Sequence, residues 1–410
     1  MKLLHIADLH LDRSFEGIPQ MTSGLRSALL RAPKIVLTRI IDTALEQAVD
    51  GVLFVGDTFH QSRISIQTQQ FFLDELRRLE EAGIPVFLTF GNHDYYLKER
   101  FWFAWPANVH LFTSETPVVC EFETRAHEKV MVAGFSYTHR WLEKNVAAEF
   151  PRRKAGIDYA LGMYHGELND AARKYAPFSL QTLKEKEYDC WALGHIHQRA
   201  VLSQKPLILY PGTPMGRSRK ETGEKSISLL EFTPQGVSAR AIVVAPWRYQ
   251  DFSISLGTAQ QLEEVFPLIS ETLAPQFAAP QKTLALLQLT ALEKLPRQFF
   301  TEYESGELLS YLQEELWQKS GETCWVVELA DPPAMQEKIP LPLSESQLAE
   351  LLLEYASPDF LNDFRELANK TLFTDWLESE EFQQEALSRV KKYMTQISVF
   401  EEGSNAADQL

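Results

Sequence analysis

The chain opens with LLHIADLH at residues 3–10, a short apolar run that passes directly into an aspartate and a histidine. The same order returns further along, where the apolar run 51–56 precedes Asp57 and the run 85–90 precedes GNHD at residues 91–94. Apolar runs of this length are typical of strands buried on both faces of a parallel sheet. Because α/β proteins place their sites at the carboxyl ends of such strands, the three stretches predict both the fold and a functional edge.

Helical patterns separate these predicted strands. Residues 34–49 and 68–82 carry apolar side chains at spacings of three and four, which predicts βαβ units and a mainly parallel sheet. From about residue 106 the predicted strands follow one another more closely, which indicates a second sheet packed on the first. These later strands are predicted at 118–122, 130–135, 160–164, 190–193, 200–202, 207–210, 226–232 and 238–244.

The length of 410 residues predicts more than one domain. We expect a first α/β domain over 1–245 and a small α/β module over 250–330. A break at Pro332 and Pro333 precedes a helical region expected at 343–400 and a flexible tail at 401–410. The helical region has two interpretations, a subdomain packed on its own core or a dock for a partner's helices.

Composition excludes several classes of protein. The hydrophobic fraction of 45 % is typical of a globular chain, and no apolar stretch is long enough to span a membrane. The first ten residues lack a cleavage site and lead into a ligand motif, so we expect no signal peptide. The three cysteines are far apart and form no CxxC pair, which favours a reducing, cytoplasmic setting over a disulfide framework.

The net charge of −16 speaks against a nucleic-acid enzyme, because such enzymes usually present a basic surface. The charge is unevenly distributed, however. Residues 331–410 hold 6 basic and 16 acidic side chains, so most of the excess lies in the last fifth of the chain. Two bound divalent cations would offset part of the remainder.

Candidate metal ligands recur in five motifs that together offer two aspartates, one asparagine and four histidines. Each motif alone has an ordinary alternative, such as a surface turn or a buried histidine, but five in similar strand-end settings favour a metal centre. We expect residues i and i+2 of an extended segment to share one side, which would pair Asp8 with His10 and His195 with His197. Asp57 is the natural bridge between two cations. The candidate ligands are Asp8, His10, Asp57, Asn92, His165, His195 and His197.

In this order the motifs resemble those of the calcineurin-like metallophosphoesterase superfamily. FVGDTFH at residues 54–60 and YPGTP at 210–214 resemble one branch, the SbcD-type DNA repair nucleases and their YhaO-type bacterial exonuclease-like relatives. The resemblance covers residues 1–245 and implies an αββα sandwich of two sheets. The module after residue 250 resembles the DNA-capping domain of that branch only in position and size.

The resemblance implies roles for individual residues. One cation would be held by Asp8, His10, Asp57 and His197, and the other by Asp57, Asn92, His165 and His195. His93 matches a histidine that assists the leaving group, and His60 matches one linked to exonuclease action. Asp94 would orient His93. The cations would be Mn²⁺ first, with Fe²⁺, Zn²⁺ or Mg²⁺ as alternatives.

Three functions remain open at this point. The first is a DNA exonuclease or endonuclease of double-strand break repair that works with an SbcC-like coiled-coil ATPase and, as the family implies, forms a homodimer. The second is a phosphodiesterase or phosphatase for a small molecule or a phosphoprotein. The third is a non-enzymatic scaffold, against which the complete ligand set argues. Candidate DNA contacts are Arg63, Arg217, Arg219 and Lys220, and for the last three a solvated loop is the alternative interpretation.

Overall fold

The structure, a computed structural model, describes residues 1–18, 20–60, 63–168 and 174–330. The helical region predicted at 343–400 and the tail at 401–410 lie outside the described residues. In chain order the described strands are β1 (Lys2–Ile6), β2 (Gly51–Val55), β3 (Val86–Thr89), β4 (Val109–Leu111), β5 (Val118–Glu123), β6 (Lys129–Gly134), β7 (Tyr159–His165), β8 (Cys190–Gly194), β9 (Ala200–Gln204), β10 (Leu207–Tyr210), β11 (Ile227–Thr233), β12 (Gly236–Ile242), β13 (Trp247–Ser255), β14 (Lys282–Thr290) and β15 (Cys324–Ala330). The α-helices are α1 (Ser23–Glu46), α2 (Ile66–Glu81), α3 (Leu180–Lys184), α4 (Val265–Phe277), α5 (Arg297–Ser305) and α6 (Glu307–Lys319).

Two six-stranded sheets form the first part of the fold. The first has the order β12-β11-β1-β2-β3-β4, with parallel pairing from β1 to β4 and antiparallel pairing at β11 and β12. The second has the order β5-β6-β7-β8-β10-β9, parallel from β6 to β10 and antiparallel at both edges. The predicted α/β class with two mostly parallel sheets is confirmed.

Alternating side chains separate the two faces of the first sheet. On one face Leu3, Leu53 and Phe87 pack with the second sheet, where Val132, Leu161 and Ala192 belong to the same apolar cluster. On the other face Leu4, Phe54 and Leu88 pack with residues of α1 and α2. The strands are therefore apolar on both faces, which is why they read as unbroken apolar runs.

Side-chain caps fix where the two long helices begin. The Thr22 side chain accepts a hydrogen bond from the Leu25 amide at 3.1 Å, and the Ser65 side chain accepts one from the Thr68 amide at 3.1 Å. Helix α1 therefore starts well before the predicted residue 34 and runs through Pro33, whose ring is buried. In the part of the chain that the structure describes, no helix is long and apolar enough to cross a membrane.

The predicted module contains a third, parallel sheet in the order β13-β14-β15, with α4, α5 and α6 between its strands. Its strand β13 begins at Trp247, close to the predicted limit of 250. Tyr249 and Trp325 belong to the same apolar cluster as Leu4 of β1. The module and the two large sheets thus share a core, and residues 1–330 form one unit.

A buried histidine links the two large sheets. The His5 side chain of β1 has no exposed surface, and its Nε2 atom lies 3.0 Å from the Leu193 carbonyl oxygen of β8. Burial lowers the pKa of His5 from 6.5 to about 3. The imidazole is therefore neutral in the folded protein, with the proton on Nε2 where the carbonyl can accept it.

We predict that His5 makes stability fall with acidification. An unfolded chain binds a proton at this residue below about pH 6.5, whereas the folded chain does so only near pH 3. Between these values the unfolded state binds more protons, so the free energy of unfolding falls by up to about 1.4 kcal/mol per pH unit from His5 alone. His5→Gln, which keeps an N–H donor, should remove this part of the slope.

Urea unfolding of the metal-free protein between about pH 6 and pH 4 measures the slope. His127→Gln serves as the control, because the His127 side chain is 87 % exposed. Equal slopes for His5→Gln and the unaltered protein would contradict the prediction.

Candidate metal centre

The carboxyl ends of the parallel strands of both sheets meet at one edge of the sandwich. Asp8 and His10 follow β1, Asp57 follows β2, and Asn92 follows β3. The second sheet contributes His165 as the last residue of β7, and His195 and His197 just after β8. The structure thus brings all seven predicted ligands together.

At four of these seven positions the backbone has a positive φ angle and is not extended. The φ angles are 53° at Asp8, 44° at His10, 50° at Asp57 and 101° at His195. Such angles are uncommon for residues with a side chain and cluster at functional sites. The expectation that extended i, i+2 pairs would share one side is therefore wrong as a reason for the arrangement, because the backbone at Asp8, His10 and His195 is not extended.

One group of donor atoms comes from Asp8, His10 and His197, whose candidate ligand atoms all lie within 4.8 Å of one another. The Nε2 atoms of His10 and His197 are 3.2 Å apart. The His197 Nε2 atom lies 3.9 Å from Asp8 Oδ1. These three side chains converge on one point, where a single cation could sit.

A second group comes from Asn92, His165 and His195. Asn92 Oδ1 lies 3.1 Å from His165 Nε2 and 3.2 Å from His195 Nδ1. Asp57 stands between the groups, since its Oδ2 atom is 3.4 Å from His165 Nε2 and 4.0 Å from His10 Nε2. His195 and His197 therefore face different groups, and Asp57 can serve both.

The donor set fits two divalent cations. Ligand atoms bound at about 2.0–2.2 Å around one ion are roughly 3–3.5 Å apart, which most of these separations match. Burial, together with the charge of Asp57, raises the pKa of Asp8 to about 6, so a cationic partner is needed to keep Asp8 ionised at lower pH. Burial also lowers the pKa of His195 to about 3, which favours the neutral imidazole that a metal requires.

The outer nitrogen atoms of two ligand imidazoles have protein partners. His165 Nδ1 lies 3.0 Å from the Val55 carbonyl oxygen, and His197 Nδ1 lies 2.5 Å from Glu221 Oε1. Burial opposes ionisation of Glu221, but the hydrogen bonds from His197 and the Arg217 amide, together with the charges of His197 and Arg13, outweigh it and lower the pKa of the carboxyl to about 2. Sequence reasoning missed Glu221, which stands 24 residues after His197 and belongs to none of the motifs.

Asp94 contacts the main chain rather than the His93 side chain it was expected to orient. Its carboxylate accepts hydrogen bonds from the amides of Thr58 at 2.8 Å and Gly91 at 2.7 Å, and from those of Asp57 and Phe59 at 3.2 Å. Asp94 thereby ties the loop after β2 to the loop after β3. We therefore assign it to holding Asp57 in place.

The two loops approach so closely that Gly91 has no room for a side chain. A Cβ atom at this position would lie 2.2 Å from Asp57 Oδ1. The glycine of the GNHD motif is therefore required by the position of the bridging carboxylate, and any larger residue would displace it.

His60 and His93 stack on each other beside the donor groups, with ring centroids 4.5 Å apart. Both rings also contact His10 edge-on, at 5.0 and 5.1 Å. Asp57 Oδ1 accepts a hydrogen bond from the His93 amide at 3.0 Å, which fixes the His93 backbone. Burial lowers the pKa values of both imidazoles.

The four basic residues predicted to contact DNA lie in different environments. Arg217 is 1 % exposed, and its guanidinium donates to the Leu9 carbonyl at 2.7 Å, so it does not reach the surface and we do not retain it as a phosphate contact. Arg219 is exposed and pairs with Glu328 at 2.9 Å, while Lys220 is exposed. Arg63 is exposed and lines a cleft.

This cleft, of about 1030 Å³, lies next to the donor groups but does not contain them. It is bounded by the segment after β1 and by the first turns of α1 and α2. The Asp12 side chain on its wall accepts a hydrogen bond from the His60 amide at 2.6 Å, which places the cleft beside the stacked histidines. Its charged lining residues are five basic and two acidic, namely Arg13, Arg26, Lys34, Arg63, Arg100, Asp12 and Glu99.

Comparison with known proteins shows that the chain is similar to metallophosphoesterases. The model of the calcineurin-like phosphoesterases matches residues 1–199. The chain is 33 % identical over 300 residues to the uncharacterized metallophosphoesterase YhaO of Bacillus subtilis, covering 72 % of this chain and 73 % of that protein. It is 23 % identical over 224 residues to the DNA double-strand break repair protein Mre11 of Sulfurisphaera tokodaii, covering 52 % and 54 %. It is also 22 % identical over 273 residues to a component of the nuclease SbcCD of Bacillus subtilis, covering 57 % and 67 %.

We predict that Asp94→Ala destabilises the protein and weakens cation binding. Four amides lose their acceptor, and burying unpaired donors costs on the order of 3 kcal/mol here. For Asp94→Asn, which keeps one oxygen acceptor, we expect a stability and a cation affinity between those of the unaltered protein and those of Asp94→Ala. Urea unfolding and Mn²⁺ titration measure the two effects, with Asp74→Ala as a control on the exposed face of α2. Wild-type unfolding of Asp94→Ala would show that these contacts contribute nothing.

Proposed function

Because this chain belongs to the calcineurin-like phosphoesterase family, we propose that it is a metal-dependent DNA exonuclease or endonuclease of double-strand break repair. The observation that carries the proposal is the pair of donor groups between which Asp57 lies, with a basic cleft beside the stacked His60 and His93. The names of the Mre11 and SbcCD relatives support DNA as the substrate. Family membership itself makes the protein a metal-dependent phosphoesterase.

Two divalent cations held at the centre would neutralise charge on a phosphodiester and activate water for in-line attack. The residues of the chain hold the ligand side chains in position. Asp57 lies between the groups, where its carboxylate accepts a hydrogen bond from the His93 amide and lies near the imidazoles of His165 and His10. The left-handed turns at Asp8 and Asp57 bring carboxylates from two strands to the same point. A phosphodiester bound at this centre would lie between side chains that come from both sheets.

His93 is placed to donate a proton to the leaving oxygen. It lies at the edge of the donor groups, beside His10 and stacked on His60. Burial lowers its pKa in the free protein, so the protonated form has to be favoured by the substrate. A bound phosphate supplies that negative charge and raises the pKa of the neighbouring imidazole.

The cleft suits a polyanion better than a small ester. Its lining carries more basic than acidic side chains in a chain whose net charge is −16. Trp102, which is 69 % exposed, also lines it. Basic groups that follow a phosphate backbone and an exposed aromatic ring that can stack on a base are the usual elements of a single-strand binding surface.

Several parts of the proposal rest on the sequence alone, either through the family resemblance or, for the cytoplasmic location, through the cysteine content. Mn²⁺ as the cation, the coiled-coil ATPase partner, the homodimer and the cytoplasmic location stay predictions. The domain limits at 245 and 250 stay predictions as well.

We predict that His93→Ala keeps its cations but loses most of its turnover. His93 offers no atom to either donor group, whereas loss of a proton donor lowers such rates about 10²–10⁴-fold. Metal content by mass spectrometry and kcat on DNA test the two halves of the statement. His139→Ala, at a side chain 80 % exposed, serves as the control. A parallel fall in metal content and activity would make the assigned role wrong.

The substrate is tested with linear, hairpin and circular DNA beside bis-nitrophenyl phosphate, all with Mn²⁺. We expect the DNA to be cleaved, and we expect Arg63→Glu to impair DNA cleavage more than cleavage of the small ester, which is too short to reach the cleft. Losing one phosphate contact should also make the plot of log K for DNA binding against log salt concentration less steep, by about one unit of slope.

The matched control is Arg125→Glu, another exposed arginine that does not line the cleft. Hydrolysis of the small ester alone, with no DNA cleaved, would favour the phosphodiesterase or phosphatase alternative. If Arg63→Glu and Arg125→Glu lose DNA cleavage to the same extent, the cleft has no particular role in binding DNA.

A further inference from the structure

Glu221 uses its two carboxylate oxygens for different partners. Oε1 accepts a hydrogen bond from His197 Nδ1 at 2.5 Å, and Oε2 accepts one from the Arg217 amide at 2.7 Å. The side chain is only 13 % exposed. Because an ionised carboxylate can only accept, this contact places the proton of the neutral His197 imidazole on Nδ1 and leaves the lone pair of Nε2 facing His10 and Asp8.

The turn that carries Glu221 is folded tightly against the ligand loop after β1. Gly216 allows this fold, since a Cβ atom there would lie 2.4 Å from the Glu221 carbonyl oxygen. The buried Arg217 guanidinium donates to Leu9, the residue between Asp8 and His10, at 2.7 Å. Arg13 approaches Glu221 Oε1 at 3.8 Å. These contacts hold Glu221 against the loop after β1, which carries the ligands Asp8 and His10.

The third sheet holds the same turn from the other side. The Gly223 amide donates to the Tyr249 carbonyl at 2.9 Å, and the Tyr249 hydroxyl lies 3.4 Å from the Arg217 carbonyl oxygen. The same hydroxyl donates to the Glu16 carbonyl at 3.1 Å. Residues 216–223 therefore lie between the ligand loop and β13.

We propose, on the basis of the two-cation centre proposed above, that Glu221 is a positioning residue for His197. It sets the tautomer of the imidazole and aims Nε2 at the first donor group, while Tyr249 of β13 keeps Glu221 in place. Carboxylates that accept the outer N–H of a ligand histidine raise its basicity and fix its ring orientation. The third sheet thereby acts on the metal centre through a single hydrogen-bonded turn.

The test is Mn²⁺ titration of the full-length metal-free chain by calorimetry. We expect two binding events, of which His10→Ala identifies the one at the first donor group. Glu221→Gln, which keeps the shape of the side chain without its charge, should weaken that event about 10–100-fold and leave the other within about threefold. Tyr249→Phe should weaken the same event by less.

The matched control is Glu16→Gln, because Glu16 also pairs with Arg13, at 3.0 Å, and is not in contact with His197. A second readout is the ¹⁵N spectrum of the imidazoles. We expect the His197 proton on Nδ1 in the unaltered protein and a mixture of tautomers in Glu221→Gln.

Wild-type Mn²⁺ affinities and an unchanged tautomer in Glu221→Gln would overturn the proposal. Equal weakening of both events would overturn it too, since it would indicate a general structural role. If Tyr249→Phe binds Mn²⁺ at the first donor group with unchanged affinity, the part of the proposal that concerns the third sheet would be wrong. None of these readouts involves DNA, so failure here and failure of the nuclease proposal can be told apart.

Discussion

The structure depends on the close approach of two sheets at the ends of their parallel strands. The Asp8 carboxylate accepts the His195 amide at 3.0 and 3.1 Å, and His165 Nδ1 lies 3.0 Å from the Val55 carbonyl oxygen. Each contact joins a residue of the first sheet to one of the second. Because these groups are buried, each needs its partner, and the sheets cannot slide without breaking several such pairs.

This constraint also explains the unusual backbone. Strands that ended in ordinary turns would carry their side chains away from the opposite sheet, whereas left-handed turns at Asp8, His10 and Asp57 return them to the interface. Such conformations each cost on the order of 1 kcal/mol or more. The Asp94 carboxylate offsets part of that cost, since four amides from two loops donate to it. The apolar core between the sheets supplies the rest of the rigidity.

The strands and the seven ligands could be predicted from the sequence because both leave local signals. An apolar run followed by an aspartate or a histidine marks a strand end, whatever the rest of the chain does. The roles of Asp94, Glu221 and Arg217 could not, because each depends on a partner distant in the chain, up to 208 residues away for the contact of Arg217 with Leu9. Arg217, which was predicted to contact DNA at the surface, is buried and donates to the Leu9 carbonyl, whereas Arg219 and Lys220 are exposed. The sequence predicts that α1 begins at residue 34, because a proline at position 33 is usually found at or before the start of a helix. The helix instead begins after Thr22, which caps it, and continues through Pro33.

The acidic character of the chain bears on how a polyanion could reach the centre. The buried carboxylates of Asp8 and Asp57 repel a phosphate unless cations are bound, so cation binding has to come before substrate binding on the proposed function. The cleft beside the centre carries an excess of basic side chains, so it attracts the phosphate backbone along that approach. Glu221 then matters beyond His197. By fixing one ligand of the first group, it helps to set how readily the centre takes up the cation that makes this approach favourable.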